Sequence, residues 1–426
     1  MMKKLLLLVG YGLLHTGVVG AQALTIDSCY HMARAHYPLI KKIDLMARAS
    51  RYDLKNENKR FLPQLNFSGQ ATYQSQVVDY GDLLGDAALP AGFSPPALSK
   101  DQYRIQGEIS QLIYDGGNTK SEKDLIGAKA AVQTQNVAAN LYAIKSRING
   151  LFFSILLMDA QLRQNKLHKT NLQTQIEKTK AALQNGVAFR SSLDELKAEM
   201  VNIEMTGTEY TANRVAYLKM LSLFIGRALP NSTQLAVPET KQQVITSIDR
   251  PELKTFALQQ SVYKLQVKQL KSGYLPEVSL FFQGAYGRPT LNILQNEFGA
   301  WYITGVRFNW SLGRLYSLSN RKHSLLIHQQ EVAADRETFL LNTKIDLTGQ
   351  QEDIKKYQAL IAQDETAIAL RSSVTKAAEA QLNNGVITTH EYIQKVNAEY
   401  LSRQKKVLHE IQLLQAQYNR KFISGN

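Results

Sequence analysis

Over residues 65–77 apolar and neutral polar side chains alternate. Leu65, Phe67, Gly69, Ala71, Tyr73 and Val77 share one parity, while Asn66, Ser68, Gln70, Thr72, Gln74 and Gln76 share the other. Alternation of period two predicts a strand with one apolar and one hydrated face. The pattern returns after a second Leu-Pro pair, with Val278, Leu280, Phe282, Gly284 and Tyr286 on the apolar face. A partner strand follows each copy. In the first, Tyr103, Ile105, Gly107, Ile109 and Ile113 alternate with Arg104, Gln106, Glu108 and Ser110. In the second, Tyr302, Thr304, Val306, Phe308 and Trp310 alternate with Ile303, Gly305, Arg307 and Asn309. The connections, 79–100 and about 288–299, are long, so each hairpin is open at one end. Trp301, Tyr302, Tyr103 and Trp310 lie near strand ends, where interfacial aromatics sit.

The pattern then changes period. Each strand pair closes on glycine, at Tyr114-Asp115-Gly116-Gly117 and at Ser311-Leu312-Gly313, and no proline follows until well past Gly186 in the first half or anywhere in the second. Each stretch can form a helix of roughly 100 Å. A seven-residue apolar stripe supports this: Leu141, Ile148, Ile155, Leu162, Lys169, Ile176 and Leu183, and then Leu326, Ala333, Leu340, Leu347, Ile354, Ile361, Ile368, Thr375 and Leu382. Such narrow heptad seams predict coiled-coil packing. Asn185-Gly186-Val187 and Asn384-Gly385-Val386 predict tight turns into two more helices, about 191–225 and 389–422. Pro38 and Pro63, and likewise Pro251 and Pro276, bracket shorter helices over 39–61 and 252–275. The chain therefore divides into a first structural repeat, 24–228 (β-hairpin 62–114, helical hairpin 116–228), a linker, 229–250, and a second repeat, 251–426 (β-hairpin 277–312, helical hairpin 314–422).

The doubled Leu-Pro strand, the Tyr-Asp-Gly-Gly strand end and the Asn-Gly-Val tips, in this order and spacing over about 24–423, resemble the TolC family of outer-membrane efflux ducts. Elementary physics agrees. Four antiparallel strands leave two open edges that lipid does not tolerate, and bacterial barrels need at least eight strands. The resemblance implies a mixed α and β membrane protein. Each protomer gives four strands to a trimeric 12-stranded β-barrel, which an α-helical coiled-coil barrel continues into the periplasm. It implies that Asn66, Ser68, Gln70, Thr72, Arg104, Gln106, Glu108 and Arg307 line the lumen. It implies that the tips Asn185, Gly186, Val187, Asn384, Gly385 and Val386 meet a periplasmic adaptor (membrane fusion) protein. Just past the tips it places gate residues at Ser192, Glu195, Glu391 and Gln394. In a trimer Glu391 and Glu195 would each form a ring of three carboxylates, which attract cations and raise their own pKa values. Arg190 is expected to hold a closed state through an ion pair. Further partners are a homotrimer's other copies, an inner-membrane transporter of RND, ABC or MFS type, and outer-membrane lipid. No long C-terminal extension is expected after the last helix, so the linker is expected to supply most of the belt outside the tube.

Composition fixes the compartment. Met1-Met2-Lys3-Lys4, an apolar run over 5–20 and Ala21-Gln22-Ala23 predict a secretory signal peptide, 1–23. Its loss removes two lysines and lowers the net charge from +14 to +12. The remaining Lys and Arg are scattered, which describes a hydrated basic surface and not a nucleic-acid stripe. No other run of ~18 apolar residues occurs, so entry into a membrane falls to the strands. The single cysteine, Cys29, excludes an intrachain disulfide and reads as a packing residue. Walker A, HExxH, CxxC and GxSxG motifs are absent, and the eight histidines are dispersed, so neither an enzyme nor a cofactor is expected. Two other readings stay open from the residues alone. A periplasmic coiled-coil scaffold without a pore leaves the alternating strands unexplained. A secreted hydrolase lacks an identifiable nucleophile–base pair.

Overall fold

The computed structural model describes residues 23–78, 98–239, 247–292 and 296–425. The expected signal segment up to Gln22, most of the first strand-to-strand connection and part of the linker lie outside the described residues. The elements are α1 (Ile26–His36), α2 (Lys41–Asn58), β1 (Gln64–Tyr73), β2 (Asp101–Tyr114), α3 (Asn118–Gln184), α4 (Arg190–Ile225), α5 (Pro251–Ser272), β3 (Glu277–Arg288), β4 (Gly299–Asn309), α6 (Leu318–Asn383) and α7 (Thr389–Ser424). Helix dominates the described residues. The chain forms two compact units, and each draws on both halves of the sequence. One combines 41–139 with 251–341; the other combines residues up to 40 with 140–250 and 342 onward.

The first unit is built on one antiparallel sheet in the order β1-β2-β3-β4, so β1 and β4 are its edges. Register decides what each face carries. One row runs Leu65, Ile109, Phe282, Thr304, and the next Phe67, Gly107, Gly284, Tyr302. The opposite face carries Asn66, Glu108, Gln283, Ile303 and Ser68, Gln106, Ala285, Trp301. The apolar face is unburied in the single chain: Phe67 is 76% exposed, Ile105 69% and Val306 65%. A β-bulge near Leu112 and Tyr114 closes the β2–β3 ladder.

The two strand-to-helix junctions are built differently. Asp115 accepts the backbone N–H of Gly117 at 2.9 Å and of Thr119 at 2.6 Å, which satisfies donors that the first turn of α3 leaves open. Gly116 has φ +68°, and a Cβ there would lie 2.5 Å from the Leu275 Cβ. Tyr-Asp-Gly-Gly is thus a cap followed by a close backbone approach to the turn after α5. In the second half a 3₁₀ segment, Leu312–Ser317, leads into α6 with no side-chain cap. Here the Trp310 indole N–H donates to the Tyr274 carbonyl at 3.0 Å.

In the second unit the core gathers around α3 and α4. Phe152, Ile155, Leu196 and Leu221 are fully buried. Near the turn Leu172 and Ile176 of α3 pack with Leu193, Leu196, Met200 and Ile203 of α4, with Ile393 of α7 against them. α1 joins through Tyr37, stacked on Phe224 at 6.5 Å, and Leu24 bridges Leu235 of the linker. Arg214 anchors the linker further. It donates to Asp159 (2.5 Å) and to the carbonyls of Asn231 (2.5 Å) and Thr233 (2.7 Å). Cys29 is fully buried and its thiol is pushed up to about 12 by that burial, which suits packing and not reactivity.

The heptad stripe needs one correction. Leu141, Ile148, Ile155 and Ile176 are buried, but Lys169 is exposed and bonds Glu204 of α4 at 2.8 Å. Toward the turn the buried positions are Asn165, His168, Leu172, Gln175 and Thr179. There α3 has neighbours on two sides, α4 and α7, so a single thin seam does not describe its contacts. On α6 only Ile354 of the stripe is buried.

Candidate functional site

Both helical turns end in the same backbone device. Gly186 has φ +73° and Gly385 φ +71°. Gly186 N–H donates to Leu183 O (3.0 Å) and Val187 N–H to Ala182 O (2.9 Å). Gly385 N–H donates to Leu382 O (3.0 Å) and Val386 N–H to Gln381 O (2.8 Å). These are Schellman closures, in which a left-handed glycine lets the last carbonyls find donors. The turns leave Val187 and Val386 projecting, 79% and 68% exposed. Asn185 and Asn384 each bond back to the preceding helix, and Asn384 also donates its amide to Ala380 O at 2.8 Å.

The helices that follow start unequally. Thr388 caps α7 with a full capping box. Its hydroxyl accepts the Glu391 N–H at 3.2 Å, and Glu391 Oε2 accepts the Thr388 N–H at 2.9 Å. These bonds, the backbone one first, hold the Glu391 carboxyl below its ordinary value. In one protomer Glu391 is therefore a committed capping carboxylate. The expected upward shift belongs to a ring of three copies, which a single chain does not contain. α4 begins at Phe189, which offers no side-chain cap and is 79% exposed.

The remaining gate candidates are separate. Arg190 pairs with Asp194 on its own helix, 3.3 Å, and spans no gap between helices. Ser192 is half-buried and Glu195 is exposed. Gln394 contacts His390 one turn earlier at 3.0 Å. Among the described residues, no group of three or more His, Cys, Asp or Glu converges as a metal ion requires.

On the sheet, Asn66, Ser68, Gln70, Thr72, Arg104, Gln106, Glu108 and Arg307 share one face by register. Arg104 donates to Gln70 at 3.0 Å. Arg307 reaches across β3 to Glu108 at 2.8 Å, its guanidinium 4.6 Å from the Phe281 ring centroid. The charges on this face are thus held by cross-strand contacts. Phe281, Trp301 and Ile303 also lie on it. Trp301 consequently does not share the apolar face of Tyr103 and Tyr302.

Sequence reasoning missed Thr388 and Phe189. Thr388-Thr389-His390-Glu391 is a readable capping-box pattern. Phe189 carried no signal beyond an aromatic residue next to a turn.

The sequence model of the outer membrane efflux protein family matches residues 29–227. No curated protein matches the chain significantly in sequence. By structure, the chain is similar to the outer membrane protein VceC of Vibrio cholerae at 14% identity and a TM-score of 0.66, covering 94% of this chain and 96% of that one. It is similar to the CmeC outer membrane channel of Campylobacter jejuni at 11% identity and 0.65, covering 94% and 85%. It is likewise similar to the MtrE outer membrane channel of Neisseria gonorrhoeae in its open state, at 11% and 0.65, covering 94% and 89%. The sequence match, from within α1 to the end of α4, and the fold likeness over nearly the whole chain agree: residues 29–227 are similar in sequence to the outer membrane efflux protein family, and the chain shares the fold of these outer membrane channels.

Proposed function

We propose that three copies of this chain close a 12-stranded barrel in the outer membrane, and that their helical hairpins form a periplasmic tube. The assembly is then a passive exit duct of a tripartite efflux or type I secretion system. The observation that carries this reading is the sheet, whose four strands have one exposed apolar face, one polar face, and open edges at β1 and β4. Lipid leaves no partner for open edges, so closure calls for more copies. The polar face with Arg104, Glu108 and Arg307 then lines the lumen, and the apolar face meets lipid. The two sequence halves act as structural repeats, each contributing one strand pair and one helical hairpin.

The projecting turns at Gly186 and Gly385 suit contact with a periplasmic adaptor, since glycine admits close backbone approach. An inner-membrane transporter supplies the energy, because nothing in this chain's own chemistry does. Ser192, Glu195, Glu391 and Gln394 would face the narrow end. Single-channel recording of the purified mature protein in planar bilayers tests the reading. Discrete pores are expected, with Glu391→Ala changing conductance or cation block. A protein that forms no pores contradicts it.

A further inference from the structure

One group in the α3–α4–α7 packing is left unused by the duct reading. His168 is 5% exposed, and neither ring nitrogen has a hydrogen-bond partner. Its ring lies on Tyr400 of α7, centroids 4.3 Å apart and planes 32° from parallel. The same residue borders a cleft of about 480 Å³ between α3, α6 and α7. Burying an imidazole with no bond made is costly, and its surroundings explain why none forms.

Every charged neighbour that could serve it is committed elsewhere or repels a proton. On α4, Glu199 accepts from Asn397 at 2.9 Å and from Asn202 at 3.1 Å. On α7, Glu399 accepts two bonds from Arg403, at 3.0 and 2.6 Å, and the Tyr400 hydroxyl accepts from Gln404 at 2.6 Å. Tyr392 is pushed up to about 12, chiefly by burial, and stays neutral. Across the cleft Glu379 of α6 is bonded to Lys178 of α3 at 2.7 Å, and Lys376 adds a further positive charge. Burial holds the imidazole below its ordinary value, and the fields of Glu199 and Glu399 only partly offset that.

We propose that His168 is an acid-released latch: neutral, it lets α7 close over α3 and α4; protonated, it needs the water that the closed packing denies both ring nitrogens, so α7 parts from α3 until water reaches the ring. The sign follows from linkage. The closed packing binds fewer protons than the open one, so it is fully stable above the ordinary imidazole range and weakens as pH falls through that range. One proton per protomer sets a limit of about tenfold in the opening equilibrium per pH unit. The latch depends only on contacts within one protomer, so it stands or falls independently of the pore.

Hydrogen exchange of the full mature protein in detergent micelles, corrected for the chemical exchange rate, reads the latch in peptides spanning 160–175 and 392–407. Between about pH 7.5 and about pH 5.5 the opening is expected to rise by up to ~tenfold per unit. His168→Gln and His168→Leu should abolish the rise, and His409→Gln, whose partner is Asp364, should keep it. Equal protection at both pH values, a rise that persists in His168→Gln, or one lost in His409→Gln overturns the proposal. If neither His168 variant folds, the wild-type titration decides alone. A midpoint below the ordinary imidazole range supports the latch, and one above it, or none, refutes it.

Discussion

The two helical hairpins share one backbone plan and are stabilised in opposite ways. In α3–α4 the interior is dense, with Phe152, Ile155, Leu196 and Leu221 fully buried, while α4 begins uncapped at Phe189. In α6–α7 the interior is thin. Of the α6 stripe only Ile354 is buried and most of the others are half-buried, yet α7 begins with a complete capping box. One hairpin is held by its middle, the other by its tip. A helix with a thin seam gains little from its own chain and depends on local devices or on neighbours. That makes α6–α7 the hairpin whose stability other copies should change.

The largest expected effect is in the dense hairpin. Phe152→Ala should cost about 3–5 kcal/mol, and Leu347→Ala, half-buried on α6, on the order of 1 kcal/mol, both by thermal unfolding followed by circular dichroism. If Leu347→Ala costs as much as Phe152→Ala, another copy covers the second stripe and the contrast belongs to the single chain only. Next, Gly186→Ala and Gly385→Ala should each lose about 1–2 kcal/mol, because alanine is strained in the left-handed region even with open space around it. Unequal losses would show that the two turns are not interchangeable. Thr388→Ala should cost about 1 kcal/mol, and Phe189→Ser should recover up to about that much at the other tip. If Phe189→Ser gains nothing, the asymmetry of the caps is not energetic.

The smallest effect is in pH. Glu391 is held below its ordinary value by its bonds to Thr388, so its contribution is present at neutral pH and fades as pH falls through the carboxylate range. Hydrogen exchange at 386–394 should rise in acid for the wild type, and Glu391→Gln should flatten that response. A response of equal size at 187–195 would contradict its assignment to the capping box.

Much of this was legible in the chain. The alternation over 65–77 and its second copy predict strands close to those observed, because period two with one neutral polar face has few other solutions. The proline-free stretches ending in Asn-Gly-Val predict the long helices and their turns. The rest depends on neighbours that periodicity does not carry. Lys169 fits the heptad but points to Glu204, and His168, one position earlier, is buried because α7 covers it. Trp301 reads as an outward aromatic by its place near a strand end, yet the register with Ala285 puts it on the polar face. Glu391 reads as a gate carboxylate, while in the single chain its bonds to Thr388 commit it to the start of α7. In each case the sequence shows what a residue is, and the packing decides what it meets.

The central claim is that the edges β1 and β4 are closed by other copies of the same chain. Native mass spectrometry of the mature protein, released gently from detergent, tests it most directly. The account predicts an assembly of three times the mature chain mass. A single-chain mass from preparations that conduct in bilayers, or a stable assembly of any other copy number, would contradict it.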